Sequence, residues 1–135
     1  MNPTEEIIGV VGFSNMTVRP GDTCVVQGVG DLPIISASQL VHLMEHAAVV
    51  SLDEYLATGE TTIAISIEII SLSPAEIGAE LRATSRCIDI ENKELTFECE
   101  VYEGQRQIAA AIIKRATVER VSFLARTAAQ SIKNL

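Results

Sequence analysis

The chain has 135 residues, with ten Lys and Arg against eighteen Asp and Glu for a net charge of −8, and hydrophobic residues make up 47% of it. That length carries one hydrophobic core, so a single domain over 1–135 is expected. The acidic balance excludes a nucleic-acid partner, which needs a basic surface. No apolar run reaches the roughly 20 residues of a membrane span. Acids stand at Glu5 and Glu6 where a signal peptide carries bases, so no membrane partner and a cytoplasmic location are expected.

With no Trp, two Tyr and three Phe, the core must be aliphatic. The cysteines Cys24, Cys87 and Cys99 are odd in number and lack CxxC spacing. A disulfide framework and a zinc site are both disfavoured, and small core residues are expected instead. Charge is uneven along the chain. Residues 1–81 hold one base, Arg19, against eleven acids, whereas residues 82–135 hold nine bases against seven acids. An anionic ligand would therefore draw on the later half, where Arg82, Arg86, Lys114 and Arg115 lie.

In chain order, an apolar lead from Ile7 to Val11 precedes a strand from Phe13 to Val18, which ends at the turn Arg19-Pro20-Gly21-Asp22. After Cys24 to Val26, the loop Gly28-Val29-Gly30-Asp31-Leu32-Pro33 leads into the longest apolar element. It lacks the third glycine of a phosphate-binding loop. A helix is expected from Ser36 or Ser38, either of which can cap it, to about Ala57, with Thr58-Gly59 as its stop. This helix is apolar on nearly every face, so it belongs inside the molecule.

From Glu60 the period changes to two. Ile63, Ile65, Ile67 and Ile69 alternate with Ala64, Ser66, Glu68 and Ile70, predicting a strand with one face on the core. The turn Ser73-Pro74-Ala75-Glu76 ends it. A second long strand spans about Ile77 to Ile90. The turn Glu91-Asn92-Lys93-Glu94 leads to a third, in which Leu95, Phe97, Cys99 and Val101 alternate with polar residues. Gly104 turns the chain into a fourth, Gln105 to Val121. The core thus covers about 10–121, and the tail 122–135 has the spacing of a short helix. A buried helix followed by an antiparallel meander predicts an α+β domain, a sheet curled around a long central helix. Such a sheet leaves long edges, and pairing with a second copy protects them. A homodimer is therefore expected, with further pairing into a tetramer left open.

Glu45 stands between His42 and His46 in that apolar helix. A carboxylate there is expensive unless it is used. His42-x-x-Glu45-His46 also fits the H-x-x-E-H pattern of inverzincins, but the third ligand and larger catalytic domain are missing, so no metal role is assigned. A histidine in this position could instead tune Glu45 or donate to a substrate carbonyl. No Gly-x-Ser-x-Gly elbow is present, and no Asp-x4-His of a hydratase.

The helix segment Leu43-Met44-Glu45-His46-Ala47-Ala48, with Tyr55-Leu56-Ala57-Thr58-Gly59-Glu60-Thr61-Thr62-Ile63 after it, resembles the fluoroacetyl-CoA thioesterase branch of the hotdog fold over residues 16–120. The resemblance implies a hotdog domain that cleaves a small acyl-CoA at a dimer-interface pocket, with coenzyme A entering as part of the substrate and no separate cofactor. In that branch a helix Glu works with a Thr eight residues earlier and a His on the first meander strand. Glu45 matches the Glu. Ala37 stands at the Thr position, flanked by Ser36 and Ser38, and Ser71 stands at the His position. The branch's late Gly-x-Gly-x-His-x-Arg pattern reads Ala109-Ala110-Ala111-Ile112-Ile113-Lys114-Arg115, keeping the Arg.

Thioester hydrolysis needs a base or nucleophile and a donor for the oxyanion. Glu45 fills the first role. Ser36, Ser38, Ser71, His42 or a backbone N–H of the 31–38 loop is expected to fill the second, with Arg82, Arg86, Lys114 or Arg115 near the coenzyme A phosphates. The other reading is a non-catalytic hotdog module that binds acyl-CoA or another small apolar ligand. Acyl-CoA turnover against binding alone discriminates the two.

Overall fold

A computed structural model describes residues 5–134, the side chains of Glu5 and Ser71 excepted. Its elements are β1 (Val11–Thr17), α1 (Cys24–Gln27), α2 (Ala37–Ser51), β2 (Glu60–Leu72), β3 (Glu80–Glu91), β4 (Glu94–Glu103), β5 (Arg106–Glu119) and α3 (Arg120–Lys133). The five strands form one antiparallel sheet in the order β1-β3-β4-β5-β2. The sheet curls around α2, which touches every strand and packs most heavily on β1 and β3.

Ser36 starts α2 because its hydroxyl accepts from the Gln39 N–H at 3.3 Å, satisfying one of the free donors of the first turn. Leu40, Leu43, Met44, Ala47 and Ala48 are buried against the sheet. His42, His46, Val49 and Val50 lie on the exposed side. The helix ends at Ser51, six residues short of the expected Ala57. Leu52 turns inward and is fully buried, and the acids Asp53 and Glu54 that follow would oppose the negative end of the helix dipole. Small residues let β1 and α2 approach closely. A Cβ on Gly12 would meet the Ala47 carbonyl oxygen and lie 2.8 Å from the Ser51 Cβ.

The meander places its apolar alternation inward. Leu95, Phe97, Cys99 and Val101 of β4 are all fully buried, as the period of two requires. Each large side chain so buried contributes about 1.5–3 kcal/mol. β2 departs from the expectation. Its isoleucines do not share one core-facing row, because the pairing with β5 shifts between Ala64 and Ser66 and again between Ile69 and Ser71. A bulge reverses the parity of the side chains beyond it. Ala64 lies opposite Arg115 before the first shift and Ile67 lies opposite Ile113 after it. Ile69 packs on the core, while Ile65, Ile67 and Ile70 are exposed on this edge strand.

The tail is helical from Arg120, two residues earlier than expected. Glu119 caps it by accepting from the Val121 and Ser122 amides at 3.0 and 2.9 Å. Those bonds hold its carboxyl below the usual carboxylate range. No residue of α3 is buried.

Candidate active site

The exposed side of α2 follows helical spacing through Ser38, His42, Glu45, His46 and Val49. The last four of these border an open pocket of about 400 Å³, closed on the other side by Thr62, Ile63 and Ala64 of β2 and Arg115 of β5. Its lining is therefore mainly apolar or small, with three titratable groups from α2 and one guanidinium from the sheet.

Glu45 is held from the sheet. Arg115 Nη1 donates to Glu45 Oε1 at 3.3 Å, Nε donates to Thr62 Oγ1 at 2.9 Å, and Nη2 donates to the Thr62 carbonyl at 3.0 Å. The fork geometry of a guanidinium makes this three-point anchorage possible. The Arg115 side chain is 9% exposed and that of Glu45 is 30% exposed, so the carboxylate is partly open to the pocket while its partner is sealed behind it. Burial pushes the Arg115 guanidinium below its usual value, and the Glu45 charge acts against that shift.

The pleat places the four candidate phosphate-binding cations on two faces of the sheet. Arg82, Arg86 and Lys114 occupy exposed alternate positions on β3 and β5, on the face of the sheet away from α2, whereas Arg115 faces α2. Arg86 pairs with Glu98 at 3.4 Å, and Arg82 borders a different pocket with Arg19 and Tyr102. Arg115 belongs with Glu45, and adjacent residues on a strand, such as Lys114, point the opposite way.

Ser36 is fully buried and donates to Gln27 Oε1 at 2.6 Å, while Ser38 donates to the same oxygen at 2.8 Å. Both hydroxyls are thus tied to α1, and they lie about 10–13 Å along the axis from Glu45 at 1.5 Å per residue. Ser71 pairs through its backbone with Ala110, and its side chain lies outside the described residues. Among the described residues, no group of three His, Cys, Asp or Glu side chains is arranged to hold a metal ion. Two contributors were missed in the sequence. Thr62 lay inside the quoted Gly-Glu-Thr-Thr segment, but nothing local tied it to Arg115. Ser14, whose Oγ is 2.8 Å from His46 Nδ1, carried no local signal at all.

Solved structures share this architecture. The fluoroacetyl-CoA thioesterase FlK superposes with a TM-score of 0.81 at 21% identity, covering 89% of this chain and 93% of that one. A thioesterase-superfamily member of Thermus thermophilus gives 0.83 at 21% identity over 95% and 96% of the two chains. A hot-dog-like protein of Thermanaerovibrio acidaminovorans gives 0.85 at 19% identity over 97% of each. Among curated proteins, none matches the chain in sequence.

The sheet curled around its central helix defines a hotdog-fold protein. The sequence model of the fluoroacetyl-CoA-specific thioesterase (FlK) matches residues 18–121. The chain belongs to that family, and its class of activity is thioester hydrolysis.

Proposed function

We propose that the protein hydrolyses a small acyl-CoA, with the Glu45 carboxylate acting on the thioester as general base or nucleophile. The observation that carries this reading is the anchorage of Glu45 by Arg115 at the pocket wall. A carboxylate fixed at the end of a packed cation has little orientation left to lose when substrate arrives, which is the condition for efficient base catalysis. Point mutants of FlK have been solved with fluoroacetate and CoA and with acetyl-CoA, which supports a short acyl group here. A pocket of about 400 Å³ suits that size. The reaction needs Glu45, a water and a donor for the oxyanion, and no separate cofactor is called for.

The working unit in this reading is a homodimer. Val49, beside the pocket, and Ile65 and Ile67 of the unpaired β2 edge are 39%, 45% and 40% exposed in the single chain, and a second copy would cover them and roof the site. The three free thiols suit a reducing compartment such as the cytoplasm.

Ala37 at the family's Thr position favours one alternative, a module that binds acyl-CoA without cleaving it. The test is a panel of acyl-CoAs assayed with a thiol reagent, alongside CoA binding by calorimetry. Turnover that falls at least 100-fold in Glu45→Gln supports the hydrolase. Binding without turnover in the wild type supports the module, and unchanged turnover in Glu45→Gln removes Glu45 from the mechanism.

A further inference from the structure

His46 borders the same pocket as Glu45, yet the reaction as described does not use it. Its Nδ1 lies 2.8 Å from Ser14 Oγ on β1. Ser14 is 8% exposed, and among the described residues the imidazole is the hydrogen-bond partner of its hydroxyl. A buried hydroxyl needs an acceptor for its proton, and the acceptor available is Nδ1. A neutral imidazole that accepts at Nδ1 carries its own proton on Nε2. That nitrogen has no protein partner among the described residues, and the ring lines the pocket.

We propose that His46, set in this tautomer by Ser14, donates from Nε2 to the carbonyl oxygen of the bound thioester. The inference rests on the Glu45 reading above. Glu45 takes a proton from water as the water oxygen bonds to the carbonyl carbon, and the carbonyl electron pair moves onto oxygen, where the Nε2–H meets it. The pair then returns, the carbon–sulfur bond breaks, and the leaving thiolate takes the proton from Glu45. Acid and thiol are released, and His46 keeps its proton throughout. Ser14 is a positioning residue, because it acts through the ring and not on the substrate.

The other donors are less suited. Arg115 is engaged with Glu45 and Thr62. Ser36 and Ser38 are bound to Gln27 about two helical turns away. His42 borders the pocket but among the described residues has no hydrogen bond that selects its tautomer.

Two measurements test this. In the free protein, NMR of 15N-labelled histidine at a pH where the rings are neutral should show His46 as the Nε2–H tautomer. Ser14→Ala should lose that preference. A wild-type Nδ1–H tautomer overturns the inference whatever the activity. For acetyl-CoA hydrolysis, His46→Ala should lower kcat 100-fold or more with KM within about threefold. His46→Gln, which keeps an N–H donor, should recover at least tenfold of that loss, and Ser14→Ala should fall by about tenfold. His46→Ala also leaves the Ser14 hydroxyl without its acceptor, so kcat is compared at a temperature where thermal denaturation shows every variant folded. Wild-type kcat in His46→Ala, or no recovery in His46→Gln, overturns the donor role while an inactive Glu45→Gln leaves the hydrolase reading standing. An active Glu45→Gln instead removes the reading on which the inference rests.

Discussion

Glu45 of α2 and Arg115 of β5 are 70 positions apart in sequence and meet at 3.3 Å, Oε1 to Nη1. The contact joins the open side of the central helix to the inner face of the sheet, and Thr62 extends it to the edge strand through two further bonds from the same guanidinium. One cation thereby sets the position of the carboxylate and of the pocket wall opposite it.

Replacing Arg115 should affect stability and turnover together. Arg115→Met leaves the Thr62 carbonyl and Glu45 without their donor, at a cost of about 1–3 kcal/mol given that Glu45 remains partly solvated. Arg115→Lys keeps the charge but cannot serve three acceptors in two directions. Thermal denaturation should rank wild type above Lys above Met, and kcat should follow the same order. A Met variant as stable and active as wild type would show that the pair is incidental.

Gly12→Ala should destabilise the fold by about 1–3 kcal/mol or more. The new methyl would collide with the Ala47 carbonyl and approach Ser51 Cβ at 2.8 Å, both parts of a packed helix that cannot move without disturbing α2. Urea denaturation measures this directly, and an unchanged midpoint would mean that β1 shifts freely.

Native protein should expose one readily modified thiol of its three. Cys24 is half-buried, whereas Cys87 and Cys99 are buried. Burial pushes the Cys99 thiol from 9.0 up to about 11, with the Ser85 bond opposing the shift, and burial raises Cys87 as well. A thiol raised in the folded state favours folding fully below its unfolded value. That contribution is lost as pH rises from 9 through about 11. Aromatic disulfide titration should therefore count one fast thiol in native protein and three in denaturant, and stability should fall across that alkaline range. Equal reactivity of all three would contradict the burial.

Ile67→Lys should convert the proposed dimer to a monomer. Ile67 is 40% exposed on the β2 edge, and a charge there opposes strand-edge association. Light scattering at micromolar concentration should give twice the chain mass for wild type and the chain mass for the variant. A wild-type monomer would end the dimer reading.

What the sequence by itself determined is local. The alternation of Leu95, Phe97, Cys99 and Val101 dictates which face of β4 is buried, because side chains on a strand alternate whatever it pairs with. The apolar run around Glu45 likewise places one carboxylate on a central helix. Tertiary structure decided the rest. The run of isoleucines in β2 implied one continuous face, but the pairing with β5 shifts between Ala64 and Ser66, so Ala64 lies opposite Arg115 and Ile67 opposite Ile113. Arg115 looked like one more base beside Lys114, until the pleat sent the two to opposite faces. Ser14 and His46 are 32 positions apart, and their bond exists because Gly12 lets β1 lie close against α2. Periodicity encodes which way a side chain faces, whereas its partner depends on how remote segments close upon each other, and the chemistry of this pocket is made of such partners.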